Sequence, residues 1–154
     1  MYLLDTNIVS ELRKPRPYAG VVSWLNAVSD NALYLSAVTL GEIQAGIEIT
    51  REQDQVKAAM IEIWAAQISQ TYNVLPMDAD TFRVWAQLMH KQSNTVYEDA
   101  MIAATAIVHH LIVVTRNLRD FKRFDVQTFN PFDGSNPSFT RANYIFKNHG
   151  MVKA

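Results

Sequence analysis

One short run of residues constrains the fold of this 154-residue chain most. Residues 111–115 read Leu-Ile-Val-Val-Thr, rich in β-branched side chains and without the alternation of a half-exposed strand. Such a strand is typically covered by helices on both faces, as in a parallel sheet. Shorter apolar runs at 2–4, 32–35 and 73–76 predict further strands, and residues 126–129 predict a last edge strand.

Segments with helical spacing of apolar residues separate these strands. Helices are predicted after Thr6 as cap, over 21–28, over 38–69 with a break at 50–55, after Asp78 as cap, and over 98–110. Strands that alternate with helices predict an α/β domain with a central, mainly parallel sheet. The chain length suits one domain, which we place at residues 1–133, and we expect the polar segment 134–154 to be an extension outside the core.

Several classes of protein are excluded by composition. The chain has no cysteine, which rules out disulfides and thiolate metal sites. The longest apolar stretch, residues 100–114, is interrupted by Thr105 and by His109–His110 and is too short to span a membrane. Asp5 interrupts the N-terminus, so no signal peptide is expected. We therefore expect a cytoplasmic location.

Two carboxylates follow predicted strands directly. Asp5 ends the first strand, and Asp120 comes five residues after the strand at 111–115. The carboxyl edge of a parallel sheet is where ligand sites gather. Two simpler roles stay open at this point: Asp5 as a helix cap, and Asp120 as the partner of Arg116 or Arg119 in a surface ion pair.

Two further carboxylates lie on helix faces that should be apolar. Asp99 shares a helical stripe with Ile102, Ala103 and Ala106, and no Lys or Arg lies within one turn of it. A carboxylate that points inward costs several kcal/mol unless it is paired, binds a metal or takes up a proton. Its alternative role is a favourable contact with the helix dipole.

Glu42 is the second of these two carboxylates, and it shares its face with small and apolar residues. Gly41 and Gly46 flank it, which either a close backbone approach or a kink would explain.

Together the four acids predict a divalent-cation site. Like charges brought together raise one another's pKa values, so such a cluster requires a cation or a proton. Oxygen ligands without Cys favour Mg²⁺, with Mn²⁺ as the alternative. The hydroxyls of Thr6 and Thr115 are placed to support the acids, and Asn117 is expected to brace its own turn by bonding the backbone.

The last quarter of the chain is basic, with seven Lys and Arg residues against three Asp from residue 116 onward. Its densest cluster is predicted to counter the backbone charge of a nucleic acid, with an ordinary solvated surface as the alternative. The cluster consists of Arg116, Arg119, Lys122 and Arg123.

Three motifs resemble those of PIN-domain nucleases, above all the VapC-type toxins of toxin–antitoxin pairs. They are Leu-Leu-Asp-Thr-Asn at 3–7, Asp-Ala-Met-Ile-Ala-Ala-Thr-Ala at 99–106, and Thr-Arg-Asn-Leu-Arg-Asp-Phe at 115–121. The likeness runs to about Phe132; residues 122–126 and the segment 134–154 depart from the pattern.

This resemblance implies a PIN-like three-layer α/β/α fold with four to five strands and a Mg²⁺-dependent endoribonuclease. It also implies a homodimer and a cognate antitoxin that covers the site. The implied catalytic acids are Asp5, Glu42, Asp99 and Asp120, of which Asp5, Asp99 and Asp120 would bind the metal, with support from Thr6, Asn7, Thr115 and Asn117.

Other functions remain to be separated from this one. A haloacid-dehalogenase-type phosphatase requires a second Asp where this chain has Asn7. A PIN-fold interaction module without catalysis and a DNA-cleaving nuclease both stay open, because metal-assisted hydrolysis does not require the 2′-hydroxyl.

Overall fold

The computed structural model describes residues 1–133, so the predicted extension at 134–154 lies outside the described residues. The strands are β1 (Tyr2–Leu4), β2 (Leu33–Ser36), β3 (Asn73–Leu75), β4 (Ile112–Val114) and β5 (Thr128–Phe129). The helices are α1 (Thr6–Glu11), α2 (Ala19–Ala27), α3 (Ala37–Gln53), α4 (Gln55–Thr71), α5 (Ala79–Met89), α6 (Tyr97–His109) and α7 (Leu118–Phe121).

The five strands form one sheet in the order β3-β2-β1-β4-β5, and every pair is parallel. The predicted parallel sheet is thereby confirmed. In the central strand β1, Leu4 lies opposite both Leu35 and Val114. This register brings the carboxyl ends of β1, β2 and β4 to one edge.

Helices cover both faces of the sheet. Leu4 packs with residues of α1 to α4, among them Ile8 and Ile47, on one face. Leu3, the next residue along the strand, packs with Ala103 of α6 and Phe121 on the other. The alternating side chains of β1 thus pack into two apolar cores, one on each face of the sheet. This explains why the sequence of β1 shows no polar face.

Element boundaries differ from the sequence predictions at a few points. The strand predicted at 111–115 is shorter, and β5 begins two residues after the predicted 126. The predicted break at 50–55 narrows to Asp54, whose side chain accepts the N–H of Lys57 to start α4. Thr6 was wrongly predicted to cap the first helix; the cap is Asp5, since its carboxylate accepts the N–H of Thr6.

Within residues 1–133, no helix combines the length and the apolar character needed to cross a membrane.

The glycines near Glu42 do not mark a close backbone approach. A Cβ built on Gly41 or on Gly46 meets no atom within 4 Å. Gly20 of α2 is different, because its Cβ would lie 2.7 Å from the backbone oxygen of Pro131 and 2.9 Å from the ring of Tyr18. Here the missing side chain lets α2 pack against the segment that follows β5.

This contrast predicts opposite effects for the same substitution at two helical glycines. Gly41→Ala should raise the free energy of unfolding by about 0.5–1 kcal/mol, because alanine is the better helix former and nothing blocks its methyl group. Gly20→Ala should lower it by about 1–3 kcal/mol through overpacking against fixed backbone. Urea unfolding of both variants measures the difference, and stabilisation by Gly20→Ala would contradict the packing described above.

Candidate active site

The predicted acids meet at the carboxyl edge of the sheet, where β1 and β4 end side by side. The backbone N–H of Asp5 donates to the carbonyl of Val114 at 2.9 Å, which fixes the two strand ends together. Asp5 is only 5% exposed and Thr115 is fully buried. A charged residue at this depth requires hydrogen-bond donors of its own.

Three donors satisfy the Asp5 carboxylate. Its Oδ1 accepts the N–H of Thr6 at 2.8 Å, while Oδ2 accepts the amide of Asn7 at 2.8 Å and the hydroxyl of Thr115 at 2.7 Å. Asp5 is therefore both a helix cap and part of the acidic edge, so the two roles left open by the sequence coexist. Since a carboxylate offers about four acceptor positions, residues 1–133 leave one position on Oδ1 free.

Glu42 is brought to this edge by α3. Its Oε2 accepts a hydrogen bond from the hydroxyl of Thr6. The same hydroxyl lies 3.2 Å from the hydroxyl of Thr39, which is buried. Thr6 thus joins the start of α1 to the first turns of α3. Burial raises the pKa of Glu42, and the nearby charges of Asp5, Glu98 and Asp99 add to that rise.

Asp99, in the first turn of α6, shows the strongest effect. Desolvation, followed by the charges of Asp5, Asp120 and Glu98, raises its pKa from 3.8 to about 6, while Arg123 opposes the rise. The half-buried position agrees with its predicted place on the apolar stripe of the helix. Contact with the helix dipole, the alternative role, would lower the pKa rather than raise it.

Asp120 lies in α7, close enough for its charge to raise the pKa values of both Asp5 and Asp99. Within residues 1–133 it forms no ion pair with Arg116 or Arg119, so the simpler role considered for it is not found. Burial is the main reason that the pKa of Asp5 is raised. The four predicted acids therefore share one electrostatic environment.

Glu98 is a fifth acid at this edge, and no pattern used above to predict the site includes it. Its charge raises the pKa of both Glu42 and Asp99. Glu98 is exposed and lies off the apolar stripe of α6, so helical periodicity alone gives no reason to single it out. The one indication in the sequence is that Glu98 precedes Asp99 directly, in the first turn of the same helix.

The predicted supporting residues form one hydrogen-bonded network. The amide of Asn7 also lies 3.3 Å from the Thr115 hydroxyl, and its Oδ1 accepts the backbone N–H of Arg116 at 3.2 Å. The Thr115 hydroxyl accepts the backbone N–H of Asn117 at 2.9 Å. The Asn117 side chain is exposed and makes no capping hydrogen bond to α7. The turn is therefore held by hydrogen bonds of the Asn117 backbone rather than of its side chain.

The four predicted basic residues do not act as one patch. All are exposed, but the guanidinium of Arg116 lies 4.9 Å above the ring of Phe132. Arg123 lies near enough to Asp99 to lower its pKa. Arg119 and Lys122 form no ion pair within the described part of the chain.

The residues at the edge suit a divalent cation by chemistry: carboxylate oxygens, supporting hydroxyls and no thiol. In residues 1–133 no three acidic or histidine side chains stand close enough together to form a metal-ligand set. What the structure shows is a half-buried acidic edge with raised pKa values and a free acceptor position on Asp5.

Comparison with known proteins identifies the family of this chain. The profile of the PIN domain family matches residues 2–127. The chain belongs to the PIN domain family. The family resemblance and the three-layer α/β fold inferred from the sequence are therefore confirmed.

The relatives within this family carry toxin and ribonuclease names. The VapC ribonuclease Y4jK of Sinorhizobium fredii is 34% identical over 86% of this chain and 99% of its own length. Toxin FitB of Neisseria gonorrhoeae is 32% identical over the same shares. A solved structure of FitAB bound to a DNA fragment superposes with a TM-score of 0.77 at 32% identity, covering 89% of this chain and 99% of that one.

The raised pKa of Asp99 predicts that this PIN domain gives up stability to keep its acids together. Because folding raises that pKa from 3.8 to about 6, the folded state loses stability as pH rises through this window, and the whole penalty is present above it. Asp99→Asn should therefore stabilise the metal-free protein at about pH 7.5. After allowance for solvent screening of this half-exposed group, the gain is about 1 kcal/mol.

Urea unfolding in EDTA at about pH 7.5 and about pH 5 measures this gain, which should fall to about half at the lower pH. Asp80→Asn is the matched control, since Asp80 also lies in the first turn of a helix but is exposed. The control should lose about 0.3–1 kcal/mol of helix-dipole stabilisation. Equal losses in both variants would show that Asp99 carries no repulsion.

Proposed function

We propose that this PIN domain is a VapC-type toxin, a Mg²⁺-dependent endoribonuclease that hydrolyses RNA phosphodiester bonds. The observation that carries the proposal is the shared acidic edge, where Asp5, Glu42 and Asp99 all have raised pKa values and Asp120 adds its charge. A stability cost at one edge of a sheet is typical of a functional site. The names of the relatives support ribonuclease chemistry and a toxin role.

Mg²⁺ is the proposed cofactor, with Mn²⁺ as a substitute, held by Asp5, Asp99 and Asp120. When bound, such an ion supplies an activated water and charge stabilisation at the phosphate. Asp5 offers the free position on Oδ1, while Asn7, Thr6 and Thr115 hold its carboxylate in place. Asp99 and Asp120 would have to turn their side chains toward Asp5, since the described side chains form no ready ligand set.

Glu42 is the proposed residue that orients the attacking water. Its Oε2 is held by Thr6, so the rotation of the carboxylate is restricted and its other oxygen is left to accept a proton or a water. The raised pKa of Glu42 brings it nearer to neutral pH, where a general base is more effective.

The proposed partners are an antitoxin and a second copy of the chain. Solved relatives include a toxin–antitoxin complex from Klebsiella pneumoniae at 25% identity and a TM-score of 0.60. They also include the FitAB structure and FitAcB from Neisseria gonorrhoeae, the latter at 32% identity and a TM-score of 0.73. An acidic edge without its metal suits a basic side chain from such an antitoxin. The homodimer and the cytoplasmic location remain predictions from the sequence.

The central test is cleavage of RNA by the full chain freed of any partner. Total RNA incubated with Mg²⁺ should be cut at mapped ends, and EDTA should prevent it. Asp99→Asn and Asp5→Asn should each lower the rate at least about 100-fold, since each removes several kcal/mol of transition-state stabilisation. Asp80→Asn is the control and should cut at the parental rate.

Each outcome of this test points to one function. Parental cleavage by Asp99→Asn would overturn the site. Cleavage of single-stranded DNA at a rate similar to RNA would favour the DNA nuclease. A folded chain that cuts neither nucleic acid would favour the interaction module.

The hydrogen bond from Thr6 to Glu42 gives a second prediction. Thr6→Val keeps the shape of the side chain and leaves Glu42 without its donor. Loss of a group that orients a site residue typically costs about 10–100-fold in activity. Cleavage assays should show that loss in kcat, whereas Thr71→Val on the exposed end of α4 should leave kcat unchanged.

A further inference from the structure

A polar cavity lies beside the acidic edge, and we call it the Tyr18 pocket. Its volume is about 570 Å³, within the ordinary range of ligand sites. It lies between the loop after α1, the loop after β4 and the segment after β5. Its lining residues are Glu11, Lys14, Tyr18, Arg116, Asn130, Phe132 and Asp133.

The pocket contains an aromatic platform with a cation above it. The rings of Tyr18 and Phe132 are stacked, with centroids 5.3 Å apart and planes 30° apart. The Arg116 guanidinium lies 4.9 Å above the Phe132 ring and forms no ion pair within residues 1–133. Tyr18 is 46% exposed, so part of its ring is open to a ligand.

A buried carboxylate holds this platform in place. Glu11 is 5% exposed; its Oε1 accepts the N–H of Tyr18 at 2.9 Å and its Oε2 lies 2.5 Å from the Lys14 ammonium. These bonds fold the loop after α1 back on itself and fix where Tyr18 stands. The hydrogen bond from Lys14 lowers the pKa of Glu11, and the nearby charge of Arg116 lowers it further. Arg116 forms no ion pair within residues 1–133, so its guanidinium can still meet an anion.

The pocket is joined to the acidic edge through one side chain. Asn7 accepts the backbone N–H of Arg116 at 3.2 Å and donates to Asp5 at 2.8 Å. A polymer with a phosphate at the acids therefore has its neighbouring unit within reach of the pocket.

We propose that the Tyr18 pocket binds a nucleotide of single-stranded RNA that flanks the phosphate to be cut, a proposal that rests on the proposed ribonuclease function. Unpaired bases stack on Tyr, Phe and the plane of Arg, and phosphates bind Arg. Asn130 offers hydrogen-bond donors to the nucleotide. Its Oδ1 accepts the N–H of Phe132 at 2.9 Å, and its amide N–H groups form no hydrogen bond within residues 1–133. Arg116 is thus the RNA-binding residue of the basic cluster.

Binding of a fluorescent single-stranded RNA of about ten nucleotides tests the pocket, with the full chain in an Asp99→Asn background. Arg116→Gln should weaken binding about fivefold to tenfold and make the salt dependence shallower by about 0.7 in the log–log slope, the value of one lost phosphate contact. Tyr18→Leu should weaken binding about tenfold with the slope unchanged, because stacking is not electrostatic. A merely structural role would not separate these two signatures.

Arg83→Gln and Phe82→Leu are the matched controls, since both residues are exposed on α5 and Phe82 is 44% exposed. Both controls should bind RNA like the parent. If Arg116→Gln and Tyr18→Leu also bind like the parent while the unsubstituted chain cuts RNA, the pocket proposal alone fails. If they bind RNA normally but lose the antitoxin, the pocket belongs to the protein partner. If the unsubstituted chain cuts no RNA, the proposed function fails whatever the pocket binds.

Discussion

The buried carboxylate of Asp5, at the end of the central strand, is the group around which the structure is arranged. Its three hydrogen bonds join the start of α1 to the loop after β4, so the acidic edge and the sheet hold each other in place. None of the three donor groups carries a formal charge. Asp5 is therefore stabilised without being neutralised, and its charge still acts on Glu42 and Asp99.

The sequence predicted the fold and most of the residues of the candidate site because both depend on short-range patterns. The unalternated strand at 111–115 indicated a parallel sheet, and a parallel sheet brings strand ends to one edge. Asp99 was found because it lies on the wrong face of its helix. Glu98 was missed because an exposed acid looks the same in sequence whether or not other acids lie near it; only the packing of α3 against α6 shows that its charge is shared.

Tertiary contacts decided what local pattern left open. The pattern predicts Thr6 as a helix cap, but Asp5 caps the helix. The Thr6 hydroxyl bonds instead to Glu42, which lies thirty-six residues further along the chain. The basic cluster likewise looked continuous along the chain. In the fold Arg116 turns to the ring of Phe132, while Arg123 lies near Asp99. Sequence distance in a loop does not say which way consecutive side chains point.

A nuclease that keeps several acids together must still attract a polyanion, and the arrangement of charges here addresses that conflict. The acids repel phosphate until a divalent cation offsets them. Arg116 lies on the other side of Asn7; in the proposed complex a neighbouring phosphate meets its positive charge there, and the base meets the rings of Tyr18 and Phe132. Because Asn7 bonds both Asp5 and the backbone of Arg116, hydrogen bonds fix the distance from the acids to the backbone that carries the Arg116 side chain. In the proposed complex, this distance limits which phosphate of a bound strand reaches the acids.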